Sequence, residues 1–306
     1  MQDYLKARKS LKPKTLYDYN RVMENALAHW KDIPIVNITK DKVEAYHSKL
    51  GKENGEAYAN LVMRVLRALF NFAAGKYEDA QGHSLIPENP VRRLSQTRAW
   101  YRIERRQSCI KPHQLKSWYQ AVMQLKNETC RDYLLVIIFT GLRRQEAAKL
   151  TWDRVDLKAK TLTIDDTKNH DSHTLPLSNF LHQLLLEKKK KAESNFVFPA
   201  PSKSGYINEP RKQMAKVTDT SSTPFTVHDL RRTFITIAES LDIPAYALKR
   251  LLNHKMQNDV TAGYIVSDVE RLRKPMQTIA NFLMKRMGIK LPAKKAKNST
   301  AQADAA

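Results

Sequence analysis

Apolar residues recur at spacings of three and four through most of the chain, and the first hundred residues keep to that period throughout. From Thr15 the set Leu16, Tyr19, Val22, Met23, Ala26, Leu27 and Trp30 lays one stripe along a helix. Thr39 is placed to cap a second helix carrying Val43, Tyr46 and Leu50, and Gly51 is placed to stop it. A third helix runs through Leu61, Val62, Val65, Leu69, Phe72 and Ala73 and ends at Gly75, with Arg64 and Arg67 on its other face. No segment here alternates as a strand. The pattern predicts a small helical bundle over residues 1–95.

Pro87 and Pro90 punctuate the chain, and the strongly basic stretch Val91 to Gln107 follows, with Arg92, Arg93, Arg98, Arg102, Arg105 and Arg106. It reads either as a solvated linker or as a connector lying along a phosphate backbone, and the basic character of both flanks favours the second. From Lys111 the period resumes: Leu115, Trp118, Tyr119 and Val122 mark a helix, and Tyr133 to Phe139 a buried one closed by Gly141. Beyond Leu150 the pattern changes to alternation, in Val155 to Leu157, Thr161 to Ile164 and Thr174 to Leu177. This predicts a small antiparallel sheet whose last two strands are joined by the polar Asp165–His173 stretch. Helices resume at Ser178. After Pro275 a last stripe appears in Met276, Ile279, Ala280, Leu283 and Met287. The Lys- and Ala-rich residues 291–306 read as a disordered tail. The fold class is therefore mainly α with a three-stranded antiparallel sheet (α+β). The domain plan is a helical domain 1–95, a basic linker 96–107 and a second domain 108–290.

Composition narrows the function. The 306 residues suffice for about two domains of roughly 150 residues each. Lys and Arg number 53 against 31 Asp and Glu, a formal net charge of +22, spread along both halves. A membrane-surface protein would concentrate that excess on one amphipathic segment, so the expected partner is nucleic acid. The longest apolar run, Tyr133 to Phe139, is about a third of the ~20 residues of a membrane span. The opening Met1-Gln-Asp-Tyr-Leu-Lys lacks the apolar core of a signal peptide. Cys109 and Cys130 form no CxxC pair, which argues against a disulfide scaffold or a cysteine zinc site. A protein of a reducing compartment is expected.

Three short motifs carry candidate chemistry, each weak alone. In Thr140-Gly-Leu-Arg-Arg-Gln-Glu146, Gly141 frees the backbone after a buried helix, and Arg143 or Arg144 can project into a cleft. Glu146 either orients that arginine by a bidentate pair or is a first-turn acid favoured by the next helix. In Val227-His-Asp-Leu-Arg-Arg232, His228 and Arg231 stand three apart and share a helix face if Asp229 lies near the helix start. In Leu251-Leu-Asn-His254, Pro244 opens a short core helix and His254 follows its end, with Tyr264 ten residues on. There is no Walker A motif and no acidic cluster suited to two metal ions.

Taken together and in this order, TGLRxxE, a hairpin with Lys168, HxxR, and Leu-x-His followed by Tyr resemble the tyrosine recombinase (phage integrase) family over nearly the whole chain. Asn258 to Tyr264 resembles the phage type in particular. The resemblance implies a helical core-binding, SAM-like domain followed by a catalytic domain. It implies a site-specific DNA recombinase that cuts and rejoins strands without metal or other cofactor. Tyr264 would attack the scissile phosphate to form a 3′-phosphotyrosyl link; Arg143 and Arg231 would hold the non-bridging oxygens. Lys168 would protonate the leaving 5′-oxygen, His228 would assist proton transfer, His254 would hydrogen-bond the phosphate and Glu146 would buttress the arginines. Arg64, Arg67, Arg92, Arg93, Arg105 and Arg106 are the candidate DNA contacts.

Two departures stand out. Asn253 replaces the glycine of the Leu-Gly-His found in many relatives, and the step from His254 to Tyr264 is one residue longer. Lys158 and Lys160 also lie close to the hairpin lysine position. The resemblance further implies double-stranded attachment or core sites as partner and a tetramer on DNA, assembled here through residues 276–287. A host bending factor or excisionase and a bacterial cytoplasmic setting are part of the same expectation. No arm-binding domain of the kind many phage integrases carry is visible ahead of the helical domain. The rival readings are a type IB topoisomerase, which shares the chemistry, and a DNA-binding protein that kept the scaffold and lost catalysis.

Overall fold

The computed structural model describes residues 1–165, 172–253 and 269–290, and divides into two compact units, Met1–Arg106 and Gln107–Ala306. No helix among the described residues is long and apolar enough to cross a membrane.

The first unit is helical: α1 (Gln2–Ala7), α2 (Pro13–Arg21), α3 (Lys40–Asn54), α4 (Glu56–Ala74) and the short α5 (Arg92–Gln96). Thr39 caps α3 as expected, its side chain accepting from Lys42 N at 3.4 Å. The helix expected from Thr15 to Trp30 is not continuous. α2 stops at Arg21, a wide π turn takes Val22–Ala26, and a 3₁₀ turn follows at Ala28–Trp30. A regular helix would point neighbouring residues about 100° apart; the irregular turns let Val22, Ala26 and Leu27 all enter the core.

Gly51 does not stop α3, which runs on to Asn54 before Gly55 turns the chain with φ +90°. Its role is close approach: a Cβ at Gly51 would overlap the Tyr101 ring. That contact also corrects the expected linker 96–107. Ala99, Trp100 and Tyr101 pack on the first core, and Asn60 Nδ2 donates to Tyr101 O at 2.9 Å while His47 Nε2 meets Asn60 Oδ1 at 3.0 Å. Aromatic residues inside a basic stretch found apolar area to cover, so the unit extends past residue 95.

The second unit is built on α7 (Glu128–Thr140), whose residues from Asp132 to Thr140 are all buried. α6 (Leu115–Met123), α8 (Arg144–Ala148), α9 (Asn179–Lys190), α10 (Arg211–Ser221), α11 (Val227–Ser240) and α12 (Ala245–Leu251) complete the helical part with α13 (Glu270–Met287). The sheet is as expected: β1 (Val155–Asp156), β2 (Thr161–Ile164) and β3 (His173–Pro176), antiparallel in the order β1-β2-β3, with Leu162 opposite Leu175 and Ile164 opposite His173. Ser178 caps α9 through Leu181 N.

The stripe expected to dock on a neighbouring protomer is used within its own unit. Met276, Ile279, Ala280, Leu283 and Met287 are buried in the second core, where α13 packs on α6, α7, α11, α12 and β3. In the single chain the stripe is thus covered by its own unit, with Phe282 half-buried beside it. Residues 291–306, read as a tail, lie outside the described residues.

Candidate active site

The TGLRxxE segment does two jobs at the end of α7. Gly141 takes the left-handed conformation, φ +70°, and its N–H donates to Ile137 O at 2.8 Å, closing the helix. Its missing side chain matters as well, since a Cβ there would stand 2.6 Å from the Phe234 ring on α11. Leu142 is buried and anchors the turn, so Arg143 emerges at the cap position of α8. Glu146 then meets it twice: Oε2 accepts from the Arg143 backbone N–H and Oε1 from Nη1, both at 2.8 Å. The two readings of Glu146, arginine partner and first-turn acid, are thus both realised by one carboxylate.

On α11, Thr226 and Asp229 form a reciprocal capping box. Thr226 N and Oγ1 each donate to Asp229 Oδ2 at 2.8 Å, and Asp229 N donates back to Thr226 Oγ1 at 3.3 Å. Ser108 Oγ donates to Asp229 Oδ1 at 2.8 Å, and Ile110 N to Thr233 Oγ1 at 2.9 Å, so the start of the second unit is stitched to this helix. With its origin fixed, α11 turns Arg231 inward. That side chain is 4% exposed, donates from Nη1 to Gly141 O and reaches Leu252 O from Nη2 at 2.9 Å. Arg231 is therefore bound to a backbone carbonyl two residues before Arg143.

The geometry also separates each of these arginines from its neighbour in sequence. Arg144 donates to Asn208 O and Oδ1 at 3.3 Å, away from Arg231. Arg232 pairs with Asp229 Oδ1 at 2.8 Å. Arg143 and Arg231 are the pair brought together.

Their electrostatics favour an anion. Burial lowers the Arg231 guanidinium to about 10, the Arg143 charge pushes the same way, and Glu146 offsets part of it. Two guanidiniums set in one site, with Glu146 offsetting part of their charge, suit a phosphodiester. His228, on the exposed side of the first turn of α11, is held below the usual histidine range by desolvation and by the positive charges of Arg232, Arg231 and Arg143, against the pull of Asp229. It is therefore inclined to be neutral.

Lys168, His254 and Tyr264 lie outside the described residues. The segment leading to His254 is described as far as Asn253, where φ is +49°. The substitution of asparagine for the usual glycine falls at a left-handed position, where asparagine is the best-tolerated side chain after glycine. Among the described residues no group of histidines, cysteines and carboxylates could hold a metal ion.

One residue at the site went unanticipated. His173 opens β3, is buried, and places Nε2 3.2 Å from Leu251 O. Burial lowers its pKa first; the Leu251 carbonyl and Glu146 raise it, and Arg231 and Arg143 lower it further. It thus sits in the field of the same three side chains. No sequence signal marks it, because a histidine at the start of a strand has no motif spacing.

The candidate DNA contacts of the first unit are dispersed. Arg64 and Arg67 are exposed on α4, with the Arg67 guanidinium 5.5 Å from the Trp100 ring centroid. Arg92 is exposed, whereas Arg93 Nη2 pairs with Asp41 at 3.0 Å; Arg105 and Arg106 are exposed at the end of the unit.

Comparison with known proteins gives a consistent picture. The profile of the phage integrase family matches residues 108–271, and that of the phage integrase N-terminal SAM-like domain matches residues 2–76. The prophage integrase IntF of Escherichia coli (strain K12) is 30% identical over 271 residues, covering 86% of this chain; the chain spans 57% of that protein's length. The Tn1549 transposon integrase, solved with a circular intermediate DNA, superposes with a TM-score of 0.68 at 17% identity over 87% of this chain and 94% of that one. A lambda integrase tetramer bound to a Holliday junction superposes at 0.65, with 22% identity over 84% of this chain and 77% of that one. At these identities the superpositions speak for the fold alone.

Proposed function

Since the chain belongs to the phage integrase family, we propose that it is a site-specific DNA recombinase, cutting and rejoining strands through Tyr264. The phenolic oxygen attacks the scissile phosphorus, forming the Tyr264–phosphorus bond as the bond to the 5′-oxygen breaks. The strand keeps a 3′-phosphotyrosyl ester and releases a 5′-hydroxyl. The ester conserves the bond energy, so a 5′-hydroxyl from a partner strand can reverse the step without ATP.

Arg143 and Arg231 bind the non-bridging oxygens, where negative charge grows in the transition state; Glu146 fixes the first guanidinium and the Gly141 and Leu252 carbonyls fix the second. A tyrosine with an ordinary pKa of ~10 needs a base near it, and a neutral His228 suits that role. Lys168 donates the proton to the leaving oxygen and His254 hydrogen-bonds the phosphate. The substrate is double-stranded DNA carrying attachment or core sites, and the working assembly is a tetramer on it. A host bending factor and an excisionase are further proposed partners, and the bacterial cytoplasm the proposed setting.

The observation that supports this reading most is the convergence of Arg143 and Arg231, which are distant in sequence, on one site through the Gly141 carbonyl. The test is a nicked suicide substrate. The full chain should give a covalent protein–DNA adduct, and Tyr264→Phe should abolish it while leaving DNA binding within about threefold. Adduct formation by the Phe variant would place the nucleophile elsewhere. Strand exchange between two duplexes, rather than relaxation of supercoils alone, separates a recombinase from a type IB topoisomerase.

A further inference from the structure

The end of α12 carries two successive backbone carbonyls that are held from different elements. Leu252 O accepts from Arg231 on α11, and Leu251 O lies within hydrogen-bond reach of His173 on β3. A carbonyl only accepts, so His173 Nε2 carries the proton and donates. α12 ends at Leu251, and a carbonyl there has no partner within its own helix. Leu251 and Leu252 are both buried, and beside the turn's own bonds from Leu252 N and Asn253 N the imidazole supplies a donor from another element.

We propose that His173 is a positioning residue for the Arg231 guanidinium: by anchoring Leu251 it fixes the Leu252 carbonyl against which Arg231 is aimed. An apolar side chain of similar size would fill the same volume. What the imidazole adds is a directed N–H from the sheet, so that β3, α12 and α11 meet through two consecutive peptide groups. The other end of the guanidinium is held at Gly141, and Arg231 is thereby fixed on both sides. The position along the chain gives the contact a second consequence. His173 stands five residues after Lys168, and Leu251 three before His254, so one hydrogen bond ties the strand following the candidate acid to the helix preceding the phosphate-binding histidine. The inference rests on the reading of Arg231 as a phosphate ligand.

The experiment compares the full chain with His173→Leu, which keeps bulk without a donor, and His173→Gln, whose amide nitrogen replaces Nε2. On the suicide substrate at saturating DNA, the Leu variant should form the adduct about 10–100-fold more slowly, the usual effect of loosening a supporting shell. Its DNA Kd should stay within about threefold, and the Gln variant should recover most of the rate. On a substrate whose scissile phosphate is a neutral methylphosphonate, the deficit of the Leu variant should shrink, because Arg231 has one less anionic oxygen to hold. A second arm needs no reaction: inorganic sulfate, titrated against the arginine Nε–H resonances, should bind several-fold more weakly to the Leu variant than to the other two. A wild-type chain that forms no adduct would refute the recombinase reading and leave the sulfate arm to decide on His173. Equal adduct rates for the wild type and the Leu variant overturn the proposal. So does a loss in the Leu variant that is the same on both substrates and unrelieved by Gln, or equal sulfate affinity in all three proteins.

Discussion

Gly141 and Asn253 are both left-handed, yet they differ in what surrounds them. At Gly141 the backbone sits at φ +70° and a Cβ would press on Phe234, so Gly141→Ala meets both backbone strain and overlap with a buried ring. Strain of about 1–2 kcal/mol and overpacking of about 1–3 kcal/mol add in the same direction. We expect the variant to lose about 2–5 kcal/mol in urea denaturation and, because the Gly141 carbonyl holds Arg231, to lose adduct formation at temperatures where it remains folded. Asn253→Gly, by contrast, relieves a conformation that asparagine already tolerates, and its unfolding midpoint should move little. If both variants melt alike, backbone conformation is not what selects these residues.

At the level of the element, α11 depends on a buried carboxylate. Burial alone would raise the pKa of Asp229, but hydrogen bonds from Thr226 and Ser108 and the Arg232 guanidinium outweigh it and hold the carboxyl below its ordinary 3.8. A pKa lower in the folded than in the unfolded chain contributes stability that is present above the unfolded value and lost as pH falls through the folded one. Acid should therefore destabilise the second unit as pH drops below about 3.8, and Asp229→Asn should flatten that part of the stability profile in urea melts taken between about pH 2.5 and 6. An unchanged profile would mean that other carboxylates dominate the acid limb. Element patterning was legible where local signals agreed. The Thr39 cap, the Gly141 stop, the return to helix at Ser178 and the three strands follow from period and turn chemistry. The π turn at Val22–Ala26 and the run of α3 past Gly51 were not legible, because core shape and the Tyr101 ring decided them.

For the whole molecule, with its formal charge of +22, the proposed DNA binding is expected to be governed by phosphate neutralisation. If the six candidate arginines of the first unit each displace one counterion, log Kobs should fall with log salt at a slope of about −5. Arg64→Ala should reduce that slope by about one and weaken binding similarly on all sequences, as a phosphate contact does. Arg93→Ala should change it less, because Arg93 is already paired with Asp41. A slope near zero, measured by fluorescence anisotropy across about 50–300 mM salt, would refute binding that neutralises several phosphates.

The amino-acid order alone determined the fold class and the helical and mixed units, and its short motifs singled out Arg143 and Arg231, since these depend on period, caps and motif order. Only the tertiary structure shows what holds Arg143 and Arg231, since Glu146 meets the first and the Gly141 and Leu252 carbonyls reach the second from other parts of the chain. It also folded the 276–287 stripe back into its own core. An apolar stripe declares that it must be covered and carries no information about what covers it. His173 shows the same limit from the other side: its significance lies in a carbonyl 78 residues away, and contacts between segments so far apart leave no periodicity behind.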